Sequence, residues 1–92
     1  MQIQEILKKR NGTVVDVRTR EEYMSGSVPK SVNIPLQELD QRMQELKKLP
    51  QPLVLCCASG NRSGMAAQIL THQGIKAYNG GSWREVDYIQ SN

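Results

Sequence analysis

Residues 53–57 (LVLCC) are the stretch that most constrains the fold, because they form the most apolar run in the chain. A short unbroken apolar run is typical of a strand that is buried on both faces, as in the centre of a parallel sheet. Parallel strands need long crossover connections, which are usually helices. The run therefore predicts an α/β fold.

The rest of the chain alternates between strand-like and helix-like patterns. These patterns predict strands at residues 13–17, 31–34 and 75–78, helices at 3–7, 36–49, 63–73 and 83–89, a short helical turn within 18–24, and a turn at 79–81. A chain of 92 residues has room for one core. We therefore expect one domain over residues 1–92, with a mostly parallel central sheet of four to five strands and helices on both faces.

Composition and charge exclude several classes of function. Cys56 and Cys57 are adjacent and would point to opposite faces of a strand, so they provide no disulfide framework. With a single histidine they are too few for a zinc site, and neither a metal nor a cofactor is predicted. The net charge of +3 comes from bases scattered along the chain, which argues against a nucleic-acid-binding surface.

The sequence also bears on where the chain works. No apolar run reaches the length of a transmembrane helix, and the N-terminus lacks the pattern of a secretory signal. We therefore expect a cytoplasmic protein that does not associate with membranes, and we expect it to be a monomer.

The residues after the apolar run have the composition of an anion-binding loop. Ligands of open α/β sheets bind beyond the carboxyl ends of the strands, and Cys57 lies at such an end. The small residues of the next segment, ASGNRS (58–63), let backbone N–H groups converge, and a predicted helix with a positive N-terminus follows. Arg62 adds a fixed charge. A thiol placed here should have a lowered pKa, which predicts a cysteine nucleophile acting on an anionic or sulfur-bearing substrate.

Several ordered segments of the chain resemble the rhodanese family. Residues 55–67 (LCCASGNRSGMAA) are similar to its active-site loop and following helix. Residues 15–23 (VDVRTREEY) and 26–35 (GSVPKSVNIP) are similar to its Asp-Val-Arg and Gly-His-Ile-Pro segments. Residues 74–81 (GIKAYNGG) are similar to its last strand and double glycine. The resemblance runs from about residue 14 to residue 81, which is most of the chain.

The resemblance implies a single-domain sulfurtransferase with a rhodanese-like fold. Cys57 would take a sulfane sulfur from thiosulfate or a small persulfide, hold it as a persulfide, and pass it to a small or protein thiol or to cyanide. The loop residues that would surround the outer sulfur are Ala58, Ser59, Gly60, Asn61, Arg62 and Ser63. By the same resemblance, Asp16 and Arg18 would brace the loop from the neighbouring strand end.

The chain departs from the family pattern at positions that bear on substrate and fold. Ser59 stands where thiosulfate-using members have a basic residue, so the resemblance implies that thiosulfate is a poorer donor than a persulfide. Ser27 and Lys30 replace a usual histidine and glycine, which affects the packing of that turn. The short N-terminus implies that the family's first edge strand is absent or reduced.

Two other functions stay open on the residues alone. Five residues separate Cys56 from Arg62, which is the spacing of phosphatase and arsenate-reductase relatives led by the cysteine. The smaller loop that begins at Cys57 suits a sulfur atom better than a phosphoryl group. If Cys57 takes the loop position, Cys56 is expected to pack within the sheet. The second alternative is a non-enzymatic sulfur carrier or interaction module, in which Cys57 turns over poorly by itself.

Overall fold

In the computed structural model, which describes residues 2–91, four strands and five helices alternate along the chain. The strands are β1 (Thr13–Asp16), β2 (Val32–Asn33), β3 (Leu53–Cys57) and β4 (Ala77–Ser82). The helices are α1 (Ile3–Lys8), α2 (Arg20–Ser25), α3 (Met43–Lys48), α4 (Asn61–His72) and α5 (Trp83–Ser91), and a 3-10 turn spans Leu36–Glu38. None of the helices in this part of the chain is both long and apolar enough to cross a membrane.

The strands form one parallel sheet in the order β2-β1-β3-β4. Leu55 of β3 lies opposite Val15 of β1, and Leu53 lies opposite Ala77 of β4. All five residues of β3 are buried, as the unbroken apolar run predicts. The predicted α/β fold is therefore confirmed, with four strands in the part of the chain that the structure describes.

Helices cover both faces of the sheet, and each face has its own buried cluster. The cluster under α3 and α4 includes Leu46, Leu53, Leu55, Cys57, Ala66 and Leu70. The cluster under α1 and α5 includes Ile6, Leu7, Val54, Cys56 and Val86. Because successive side chains of a strand point to opposite faces, the two adjacent cysteines lie in different clusters.

The single helix predicted over residues 36–49 is wrong, because this segment forms two elements. The 3-10 turn comes first, and α3 begins only after Arg42, whose backbone is not helical (φ −109°, ψ 20°). Leu39 and Leu46 are nevertheless buried in one cluster, so the apolar spacing predicted which residues face the sheet but not the break between them. Leu49 is extended (ψ 145°), the conformation that a residue before proline prefers, and α3 ends before it.

The turn predicted at residues 79–81 is also wrong, because these residues continue β4. Asn79 pairs with Leu55, but the register then shifts, and Gly81 pairs with the next residue of β3. Gly80 is the extra residue of this β-bulge, and Gly81 has a left-handed backbone (φ 85°). A pair of glycines is typical of turns as well as of bulges, so the sequence pattern did not distinguish the two.

Gly80→Ala should destabilise the domain, because its Cβ would collide with the neighbouring strand and helix. It would lie 2.7 Å from Cγ1 of Val54, 3.1 Å from the carbonyl oxygen of Leu55 and 3.1 Å from Cγ2 of Val86. We expect the free energy of unfolding, measured by urea denaturation, to fall by about 1–3 kcal/mol. Gly74→Ala is the control, since its Cβ would meet open space and only its left-handed backbone would be strained. A Gly80→Ala chain more stable than this control would contradict the close approach of β4.

Candidate active site

Cys57 is the last residue of β3, and the chain turns sharply between it and α4. Gly60 permits this turn because it has a left-handed backbone (φ 103°) that other residues rarely adopt. Its N–H donates to Sγ of Cys57 at an N···S distance of 3.0 Å. The N–H of Ser63, in the first turn of α4, donates to the same sulfur at 3.4 Å. The loop therefore directs backbone donors at the thiol, as its composition predicts.

Hydrogen bonds outweigh the effect of burial on Cys57. Burial of the sulfur raises the pKa of Cys57. Hydrogen bonds with the hydroxyl and N–H of Ser63 and with the N–H groups of Gly60 and Ser59 lower this pKa by a larger amount. The pKa of this thiol therefore falls below its ordinary value of 9.0. More of the sulfur is then present near neutral pH as the thiolate, which is the nucleophilic form.

The other loop residues lie at the surface around this sulfur. The side chains of Ala58, Ser59 and Asn61 are exposed, whereas Ser63 is fully buried. Ser59 is thus accessible to a bound molecule, and its side chain is uncharged.

Arg62 is bound by a carboxylate that the sequence patterns did not reveal. Its two terminal nitrogens donate to Glu22 of α2 at 2.7 and 2.9 Å. This contact, helped by the N–H of Thr19, holds the pKa of Glu22 at about 2. The Thr19-x-x-Glu22 spacing is that of a capping box, and both of its hydrogen bonds are formed. That spacing predicts Glu22 at the start of a helix but not its contact with Arg62.

Asp16 and Arg18 form a buried ion pair at the end of β1. Nε and Nη2 of Arg18 donate to the Asp16 carboxylate, and Nη2 also donates to the carbonyl oxygen of Gly26 at 2.6 Å. The guanidinium carbon lies 4.7 Å from the centre of the Trp83 ring. In the described part of the chain, these side chains brace β1 against the segment after α2 and the start of α5. Neither side chain has a hydrogen bond to the loop at 58–63 among the residues that the structure describes, so the expected bracing of that loop stays a prediction.

Cys56 has surroundings opposite to those of its neighbour. It is fully buried in the cluster under α1 and α5. Burial, together with the negative charge of Asp16, raises the pKa of the Cys56 thiol far above its ordinary range. The predicted packing of Cys56 in the sheet is confirmed. The phosphatase-like alternative loses support, because it needs Cys56 as a thiolate.

Asn79 is a second residue whose place in the site the sequence patterns did not reveal. Its Oδ1 accepts a hydrogen bond from the Ser63 hydroxyl at 2.7 Å, and its Nδ2 donates to the carbonyl oxygen of Gly60 at 3.1 Å. Asn79 therefore connects β4 to two of the residues whose N–H groups contact the sulfur of Cys57, Gly60 and Ser63.

A strand end, a short loop of backbone donors and a helix N-terminus thus surround one thiol of lowered pKa. This arrangement in a parallel α/β domain is chemically suited to hold an anionic group on or beside the sulfur of its cysteine. The sequence profile of the rhodanese-like domain matches residues 2–84, and the chain belongs to this family.

The chain is similar to one relative over most of the length of both proteins, and to others over only part of their length. It is 31% identical over 100 residues to the human thiosulfate:glutathione sulfurtransferase, covering 91% of this chain and 86% of that protein. It is 41% identical over 63 residues to YrkF of Bacillus subtilis, named as a candidate sulfur carrier, covering 68% of this chain. The chain spans only 34% of the length of YrkF and 51% of the length of YqhL, also from Bacillus subtilis.

Solved structures of similar proteins share the fold. A rhodanese-like domain protein from Staphylococcus aureus superposes with a TM-score of 0.76 at 27% identity, over 91% of this chain and 86% of that one. The human single-domain sulfurtransferase TSTD1 superposes with a TM-score of 0.64 at 30% identity, over 90% of this chain and 87% of that one. The parallel sheet and its helical layers are thus those of rhodanese-like domains.

Glu22→Gln should remove a contribution to folding stability that wild type has at neutral pH and loses in acid. The pKa of Glu22 is about 2 in the folded chain against an ordinary value of 4.5. The pair with Arg62 therefore stabilises the fold fully above about pH 4.5, and this contribution is lost as the pH falls toward 2. We expect the variant to melt about 2–5 °C below wild type at neutral pH. The difference should shrink to nothing near pH 2 in melts followed by circular dichroism.

Glu21→Gln is the matched control for this measurement, since Glu21 is an exposed neighbour on the same helix. Its melting temperature should follow the wild-type curve through the acid range. A deficit of Glu22→Gln that stays constant from neutral pH to pH 2 would show that the carboxylate charge is not what stabilises the pair.

Proposed function

We propose that this chain carries sulfane sulfur as a persulfide on Cys57 and transfers it from a small donor to an acceptor thiol. The observation that carries the proposal is that the backbone N–H groups of Gly60 and Ser63 both donate to Sγ of Cys57. Membership of the rhodanese-like family supports it, as do the names of two relatives, a sulfurtransferase and a candidate sulfur carrier.

In the proposed reaction, the Cys57 thiolate attacks the outer sulfur of a persulfide donor. A bond forms between Sγ and that sulfur, the bond from the sulfur to the donor breaks, and its electron pair leaves with the donor thiolate. An acceptor thiolate then attacks the carried sulfur, and the electron pair of the breaking bond returns to Sγ. The two half-reactions balance without an oxidant or a reductant.

The loop acts in this reaction mainly through its backbone. The N–H groups of Gly60 and Ser63 already donate to Sγ, and in the proposal those of the segment from Ala58 to Asn61 would help to surround the negative charge of the carried sulfur. Arg62 closes the loop, and its contact with Glu22 holds the start of α4 against α2. Asp16 and Arg18 support this edge of the sheet from β1.

The charges around the loop favour a persulfide over thiosulfate as donor. Arg62 is the basic residue of the 58–63 loop, and Glu22 compensates its charge. Ser59, which is exposed beside the thiol, is neutral. Backbone dipoles stabilise one anionic sulfur, but the second negative charge of thiosulfate would find no uncompensated cation within the loop, because Arg62 is already paired with Glu22.

A sulfur-carrier role is the second candidate, and the likeness to YrkF favours it. Both roles use the same persulfide and differ in how it is discharged. An enzyme would release the sulfur quickly to a free small thiol such as glutathione, whereas a carrier would retain it until a partner protein presents its own thiol. The rate of sulfur release to glutathione alone separates the two.

Cys57→Ser should abolish sulfur uptake, while Cys56→Ser should retain most of it. Only Cys57 combines the loop donors with a lowered pKa, and Cys56 is held as a buried thiol. Intact mass after incubation with glutathione persulfide should show a gain of one sulfur in wild type and in Cys56→Ser, removable with cyanide. Uptake that survives Cys57→Ser would overturn the assignment of the carrier cysteine.

Ser59→Arg should improve the use of thiosulfate. A cation at this exposed position would offset the second charge of the dianion, so KM for thiosulfate should fall by about three- to tenfold. Ser59→Gln is the matched control, because it adds length without charge and should leave KM near the wild-type value. Equal effects of the two substitutions would mean that charge does not decide between donors.

A further inference from the structure

The hydroxyl of Ser63 contacts two groups but has only one hydrogen to donate. Its Oγ lies 2.7 Å from Oδ1 of Asn79 and 3.4 Å from Sγ of Cys57. An amide oxygen can only accept, so the short contact with Asn79 takes the Ser63 hydrogen. The longer contact is then made by the thiol of Cys57, whose S–H donates to Ser63 Oγ.

Two backbone groups fix the side-chain amide of Asn79 in this orientation. The N–H of Gly81, the left-handed residue at the bulge of β4, donates to Oδ1 at 3.0 Å. The carbonyl oxygen of Gly60 accepts from Nδ2 at 3.1 Å. Turning the amide over would set donor against donor and acceptor against acceptor, so both bonds would be lost. Oδ1 therefore faces Ser63.

We propose that Asn79 is a positioning residue that holds the Ser63 hydrogen away from Cys57 while the sulfur is neutral, and that this hydrogen turns to the sulfur when Cys57 ionises. On ionisation the thiol proton leaves to solvent, and the thiolate can only accept. Ser63 can then donate to the thiolate only by giving up Asn79. Two oxygens 2.7 Å apart would be left with no hydrogen between them. Asn79 therefore disfavours the thiolate relative to the neutral sulfur.

The consequence for sulfur transfer rests on the proposed function. When an acceptor thiolate takes the outer sulfur, the bond to Sγ breaks and Cys57 departs as a thiolate. A group that disfavours this thiolate slows the release and prolongs the life of the persulfide. Asn79 thus shifts the balance between storing the sulfur and releasing it.

The pH dependence of Cys57 alkylation by iodoacetamide tests the inference, because the reagent reacts with the thiolate and no sulfur donor is needed. Asn79→Ala frees the Ser63 hydrogen for the sulfur, so the midpoint should lie about 0.5–1 pH unit below wild type. Ser63→Ala removes that donor, and its midpoint should lie above wild type. Cys57→Ser reports any reaction at Cys56.

The double variant isolates the contribution of the hydroxyl. Loss of the bond between Asn79 and the Gly60 carbonyl affects the loop whether or not Ser63 is present, so it cancels when the two backgrounds are compared. Asn79→Ala should lower the midpoint when Ser63 is present and should not lower it in the Ser63→Ala background. Equal effects in the two backgrounds would overturn the inference.

A measurement on the wild-type chain does not depend on how the variants fold. The side-chain amide signals of Asn79 in proton–nitrogen NMR spectra should move with the midpoint found by alkylation, and move less in Ser63→Ala. Signals that stay still through the titration would also overturn the inference. If the Asn79 signals follow the titration while Cys57 takes up no sulfur, the proposed function fails and the role of Asn79 stands. If Cys57 takes up sulfur while the Asn79 signals stay still, only the role of Asn79 fails.

Discussion

The burial of β3 on both faces is the constraint on which the rest of the structure depends. A strand inside a parallel sheet has a helical layer on each side, so its successive side chains enter two different cores. Cys56 and Cys57 are adjacent and both buried, yet only the sulfur of Cys57 also meets the N–H donors of a loop. Their pKa values shift in opposite directions for this reason. A shift of one residue along β3 would exchange the two environments.

The close approach of β4 to β3 supplies the second layer of the site. Gly80 leaves no room for a side chain between the strands, and the register shift that follows brings Gly81 opposite Cys56. The bulge lets the N–H of Gly81 bond to Asn79, whose amide in turn reaches Gly60 and Ser63. The double glycine therefore acts on the thiol at a distance, through the orientation of one amide.

Features that depend on local pattern could be predicted from the sequence. The apolar run predicted the central strand, and the period of two predicted that only one cysteine faces the loop. The contacts of Arg62 with Glu22 and of Ser63 with Asn79 could not be predicted, because they join residues 40 and 16 positions apart. They depend on where α2 and β4 pack, which local spacing does not encode. For the same reason, the spacing of Leu39 and Leu46 predicted a shared buried face but not the break between their two elements.

Compensated charges explain how this loop could both accept and release sulfur in the proposed reaction. Arg18 and Arg62 stand near the carboxyl edge of the sheet, and each is bound to a carboxylate. A free guanidinium in the loop would attract any anion and would hold a bound one against release. With its charge compensated, Arg62 instead fixes the loop geometry. The N–H groups, which act only within hydrogen-bond distance, then determine which anionic group the loop would bind. The thiolate of Cys57 and a carried persulfide sulfur would each find donors there, so neither state becomes a trap that stops turnover.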